Sequence, residues 1–125
     1  MNTRLTLGVI AAASVATFGA ERALSHHGWA GQGSEQFEMS GTLYKAVSLA
    51  GPHATMQIQD DRGQVWDITL APPNRTLRAG LTEDAIPLGA HVTVSGHRSA
   101  DQNRYEIKTE RVSYGDTLFD VYPGR

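Results

Sequence analysis

Ala54-Thr55-Met56-Gln57-Ile58-Gln59-Asp60-Asp61-Arg62-Gly63-Gln64-Val65-Trp66-Asp67-Ile68-Thr69-Leu70 decides the fold class. Ala54, Met56 and Ile58 alternate with Thr55, Gln57 and Gln59, which predicts a strand with one buried face. Asp60 to Gly63 are turn residues, with glycine where a positive φ is expected. Trp66, Ile68 and Leu70 alternate again on the return. The stretch reads as a β-hairpin, and its period of two carries outward in both directions.

Upstream, Phe37, Met39, Leu43, Val47 and Leu49 share one side of a period-two pattern with Gly41 between them. This predicts one long strand, bent at Gly41 and ended by Gly51-Pro52. Residues 26–36 are rich in Gly, Gln, Ser and His without periodicity and read as an N-terminal arm. Downstream, Pro72-Pro73 stops the sheet. Asn74 is expected to cap a short helix through Leu77, with Gly80 ending it. Thr82 to Pro87 is expected to add another helical turn. His91 to His97 reads as a strand with Val92 and Val94 inward. Asp101-Gln102-Asn103 is a turn, and Tyr105 to Tyr114 a last strand with Tyr105 and Ile107 on one face. The tail from Gly115 to Arg125 carries Leu118, Phe119, Val121 and Tyr122, which suit it to cross an open edge.

Five strands with a helix between the third and fourth is the element order of an OB-type barrel. The expectation is a mostly β chain, a five- or six-stranded OB-like β-barrel over residues 37–125. The six-stranded form includes the tail. A chain of 125 residues suits one such domain.

The first 25 residues read differently. Arg4 precedes an apolar run from Leu5 to Ala20, followed by polar Glu21 to Ser25. That is the order of a secretory signal peptide. The run is shorter than the ~20 residues a spanning helix needs, and it is rich in alanine rather than leucine. Small Ala23 and Ser25 fit the positions three and one before a cut, so the mature chain is expected to begin at His26. A periplasmic or secreted location follows, with no membrane anchor after cleavage. Removing residues 1–25 takes away Arg4, Arg22 and Glu21, leaving 9 basic and 12 acidic residues of the original 11 and 13. No basic stripe favours nucleic acid. The chain has no cysteine, which excludes a disulfide framework, thiolate metal sites and thiol catalysis.

The histidines are the constellation that carries chemistry. With His26 leading the mature chain, its α-amine and imidazole chelate one ion, and His27 or a distant histidine completes the set. Amine and imidazole nitrogens are a strong field for Cu(II). In an OB layout the arm enters the first strand beside the end of the fourth, so His97 groups with His26 and His27. His53, placed at the opposite end, is the less favoured ligand. None of these spacings is a specific metal signature. The plainer reading has His26 and His27 solvated, His53 bonded to a turn carbonyl, and His91 and His97 on the surface opposite Val92 and Val94. Met39, Met56 and Trp66 read as core; Trp29 in the arm has no role in the pattern. No strained nucleophile turn surrounds Ser95, Asp60-Asp61 is a turn pair, and there is no glycine-rich phosphate loop.

His26-His27-Gly28-Trp29, Gly51-Pro52-His53-Ala54, Leu77-Arg78-Ala79-Gly80 and Val92-Thr93-Val94-Ser95-Gly96-His97 occur in that order. On these segments the chain resembles a family of small bacterial periplasmic proteins of unknown function. Its members open with His-His-Ser-Phe and carry Asn-Pro-His and Gly-Asp-x-Val-x-Val-x-Gly-His. Here Gly28-Trp29 replaces Ser-Phe, Gly51 replaces Asn, and Ala90-His91 replaces the polar pair. The resemblance implies export and a small β-barrel, and it brings no activity. The covalent haem motif of an exported OB-type haem chaperone is missing, because Leu118 stands four residues before Tyr122 where that motif needs histidine.

The functional expectation is an exported binding protein, not an enzyme, holding copper or another transition metal through His26, His27 and His97. A metal-free module that contacts an envelope protein or a small ligand is the alternative. A copper-dependent oxidant is a third reading, requiring a second histidine facing the amine chelate and an open coordination position.

Overall fold

A computed structural model describes residues 29–125. The expected signal peptide, together with His26 and His27, lies outside the described residues. The elements are β1 (Phe37–Ser48), β2 (Thr55–Gln59), β3 (Val65–Thr69), α1 (Pro73–Arg78), β4 (His91–Arg98), β5 (Glu106–Tyr114) and β6 (Thr117–Asp120).

β1 is shared between two neighbours, as a bent first strand requires. Its first half, Phe37 to Thr42, pairs antiparallel with β4. Its second half, Thr42 to Ser48, pairs antiparallel with β2. Pairing passes from β4 to β2 at Thr42, next to Gly41, where any side chain would run into Ile58 and the Gln59 carbonyl. β2 and β3 form the hairpin read from the sequence, and β4 pairs antiparallel with β5. Parallel pairing of Asp67, Ile68 and Thr69 with Glu106, Ile107 and Lys108 closes the barrel. One edge of β5 is thus divided: its start faces β3, and Arg111 to Tyr114 face β6. The result is a closed five-stranded OB-like barrel with the tail added as a sixth strand.

The interior holds Leu43, Val47, Met56, Ile58, Ile68, Val92, Val94, Ile107 and Val112. Trp66 joins this core, and Met39 packs against it. Leu70, Leu81 and Ile86 close the end near α1. Burying apolar area at roughly 25 cal/mol per Å² drives this assembly without any disulfide.

Two local expectations are corrected. Asn74 does not cap α1: Pro72 holds the N-cap position, with no side-chain cap, and Pro73 occupies the first turn. Proline fits there because its missing N–H would be unpaired in any case. The helix runs to Arg78, and Gly80 ends it at a φ of +91°. Thr82 to Pro87 forms turns rather than a helix, with the Ala85 N–H donating to the Thr82 carbonyl at 3.2 Å. Pro87 disfavours helical backbone at Ile86, and burying Ile86 in the core fixes the chain in an irregular path.

The hairpin turn is locked by Asp60. Its Oδ1 accepts the N–H groups of Arg62 and Gln64, each at 2.9 Å, and its Oδ2 accepts the Trp66 indole N–H at 3.0 Å. The Trp66 hydrogen bond leads these contacts in holding the carboxyl below its usual 3.8. The unfolded chain takes up this proton first as pH falls, so the contribution is present above 3.8 and lost as acid titrates the folded carboxyl. Asp60→Asn is expected to melt lower than wild type at pH 7. It should also show a shallower decline between pH 5 and 2 in thermal melts followed by tryptophan fluorescence.

Candidate functional site

β5 departs from simple alternation at Glu110. Ser95 pairs with Arg111 and Gly96 pairs with Thr109, so Glu110 is an extra residue, a β-bulge. Inward side chains change from odd positions, Ile107 and Thr109, to an even one, Val112. Lys108 and Glu110 project from the other side of the sheet, yet only 5% and 2% of each is exposed. The arm and the tail cover them.

Backbone hydrogen bonds dock both segments. The Gly33 N–H donates to the Arg98 carbonyl at 2.7 Å, and the Ala100 N–H to that of Gly31 at 2.8 Å. The N–H groups of Val121 and Tyr122 donate to the Glu110 carbonyl at 3.0 and 3.3 Å. The bulge thus supplies the acceptor that turns the tail across β5.

Beneath this cover the Glu110 carboxylate collects donors. Gln36 Nε2 donates to Oε1 at 2.9 Å. His97 Nε2 and Arg125 Nε each lie 3.6 Å from Oε2, and Arg111 Nη1 lies 3.9 Å from Oε1. A buried carboxylate needs such company to offset lost hydration.

His97 is set by the arm. Its Nδ1–H donates to the Gly33 carbonyl at 2.9 Å. That fixes the proton on Nδ1 and turns Nε2 toward Glu110. The imidazole meets the Trp29 ring edge-on, with centroids 5.5 Å apart. His97 does face away from Val92 and Val94, but it is not a surface residue: the arm leaves its side chain 16% exposed.

Trp29 is the hub that the sequence pattern left without a role. Tyr122 packs edge-on against it at 5.3 Å, the Arg125 guanidinium lies 4.2 Å above its ring, and Lys108 Nζ lies 5.5 Å from the centroid. The indole separates two clefts. One, of about 590 Å³, is lined by His97, Gly33, Ser34 and Arg125. The other, of about 490 Å³, is lined by His53, Arg75, Arg78, Tyr122 and Arg125.

His53 and His97 therefore flank one indole instead of lying at opposite ends of the barrel. Burial, with Lys108 adding to it, lowers the His53 imidazole from its usual 6.5 and favours the neutral ring. His91 is exposed and outside both clefts. Among the described residues no cluster of three or more His, Asp or Glu side chains is arranged to hold a metal.

Lys108, Glu110 and Arg125 were not singled out from sequence. The signal for the first two was Ile107-Lys108-Thr109-Glu110-Arg111-Val112, where apolar residues five apart break a period of two and mark a bulge.

The architecture defines a class: a small OB-like barrel that fits a binding module, with its polar groups gathered under an arm and a tail. The chain belongs to the family of unknown function DUF6152, which matches residues 12–108. Among solved structures, a chain of the S. pombe Stn1-ten1 complex is similar at a TM-score of 0.49 and 14% identity. The similarity covers 66% of this chain and 59% of the length of that one. No curated protein matches the chain.

Proposed function

We propose that the protein is an exported binding protein that holds a copper ion between His97 and the N-terminal histidines His26 and His27. The observation that carries this reading is the pose of His97. A histidine that ligates a metal through one nitrogen commonly donates its other N–H to a carbonyl or carboxylate. His97 makes that contact to Gly33 and leaves Nε2 as the ligand atom. Glu110, 3.6 Å from Nε2, supplies negative charge beside the ion. Cleavage after Ser25 gives His26 a free amine, and amine with imidazoles favours Cu(II) in the affinity order.

Calorimetry with Cu(II) on the secreted protein is expected to give one site tighter than about 1 µM. His97→Ala should weaken it by about tenfold or more, and changing His26 and His27 together to alanine should abolish it. Intact-mass analysis should place His26 first. Binding weaker than micromolar, or unaltered by the double change, or a mature chain that starts elsewhere, overturns the copper reading. The metal-free module would then stand in its place.

A further inference from the structure

The cleft on the His53 side of Trp29 has a composition that copper binding does not explain. It is bordered by Arg75 and Arg78 from α1, Arg125 from the tail and the Asn74 amide, and no acidic residue lines it. Lys108 does not line the cleft but packs against two residues that do. Its ammonium lies 5.5 Å from the Trp29 ring and 5.7 Å from the Tyr122 ring, and both rings are walls of the cleft. Three guanidiniums thus border the cleft and an ammonium lies beside it, in a chain whose net charge is −2.

Their counter-charges are scarce. Arg75, Arg78 and Lys108 have no ion pair among the described residues. Arg125 shares Glu110 with His97 and Arg111. Asp120 borders Arg75 and Arg78 on their far side, and its carboxylate lies 3.6 Å from Arg111. The sole acidic side chain in residues 1–28 is Glu21, which the expected cleavage removes. Lysine is rarely buried as deeply as Lys108 without a partner. The ring faces of Trp29 and Tyr122 compensate it in part. Tyr122 also carries the Arg75 guanidinium 5.3 Å from its centroid.

The geometry points to this cleft as a binding site for a small, multiply charged oxyanion, on the other side of Trp29 from the cleft that His97 lines and sharing Arg125 with it. Guanidinium forks take carboxylate and phosphate oxygens in pairs, whereas the single ammonium acts as a point charge behind the Trp29 and Tyr122 rings. About 490 Å³ accommodates a ligand of metabolite size. The tricarboxylate class fits best, because three separated guanidiniums can each meet one carboxylate.

The test is calorimetry at low ionic strength on protein stripped of metal by a chelating resin, with citrate as the probe. Inorganic phosphate, acetate and a single-stranded oligonucleotide are the comparisons. Citrate is expected to bind at one site in the sub-millimolar range, at least about tenfold tighter than acetate. Arg78→Gln and Arg75→Gln lie on exposed positions of α1, and each should weaken citrate about fivefold or more; Arg78→Gln, which breaks no ring contact, should do so without lowering the melting temperature. Arg62→Gln, in the remote hairpin turn, should bind as wild type. Phosphate binding tighter than citrate would overturn the tricarboxylate assignment. No saturable binding, equal weakening by Arg62→Gln, or an oligonucleotide that binds tighter and displaces citrate would overturn the site.

Discussion

Gly96→Ala is expected to remove about 3 kcal/mol or more of stability, the upper part of the range for overpacking a well-packed interior. Gly96 faces the bulge, and a Cβ there would collide with the Lys108 carbonyl oxygen. It would also come within 2.9 Å of the Lys108 carbonyl carbon and the Thr109 Cα. All three atoms are backbone, so no rotamer change relieves the contact. β4 and β5 would have to separate at the point where Glu110 receives the tail. At about 5 °C per kcal/mol for a domain of roughly 100 residues, the melting temperature should fall by about 15 °C. Gly33→Ala is the control. Its Cβ would meet only the Arg98 carbonyl oxygen at 3.4 Å, and the expected change is within about 1 kcal/mol. Calorimetric melting of the two variants decides the matter. A Gly96→Ala protein that melts within about 2 °C of wild type would mean that the strands do not approach as described.

Lys108→Met should act in the opposite direction on stability and weaken anion binding. Methionine keeps the length and flexibility of the side chain and removes a buried charge without a carboxylate partner. The lost cation–π contacts with Trp29 and Tyr122 offset part of the gain. A net rise of about 1 kcal/mol, or about 5 °C, is expected without ligand. Citrate affinity should fall by about threefold or more, because a positive charge beside the wall of the cleft would be gone.

The same variant has a pH signature. Burial holds the Lys108 ammonium below its ordinary 10.5. The folded protein therefore releases this proton before the unfolded chain does. Between the folded value and 10.5 the unfolded state binds more protons, so the wild-type penalty fades as pH rises through that window and is complete below it. The stability difference between Lys108→Met and wild type should accordingly shrink toward pH 10.5. Burial raises the Tyr122 phenol above 10.0 and gives a slope of the other sign. Both proteins carry that residue, so it cancels in the comparison. A difference that stays flat to pH 11, or a variant less stable than wild type at pH 7, would show that Lys108 is not a buried, unpaired cation.

Alternation alone determined much of this molecule. Met56, Ile58, Trp66 and Ile68 are buried because a period of two puts them on one face of a hairpin, and the Asp60–Gly63 turn fixes its register. Element order then named the barrel, since a helix between the third and fourth of five strands leaves few ways to close. The grouping of arm with strand end was legible too, and Trp29 does meet His97.

Tertiary structure decided what alternation cannot carry. The irregular path through Ile86 answers to the core, not to local helix preference. The burial of Lys108 and Glu110 is not written in β5, whose polar residues read as a solvated face; it comes from two segments nearly a chain length apart crossing the same strand. The bulge at Glu110 shifts parity within one strand and offers a carbonyl to the tail. Local pattern depends on neighbours a few residues away, whereas the charge and solvation of a side chain depend on whatever the fold lays over it. For that reason the barrel followed from the order of residues, and the cationic cleft only from their packing.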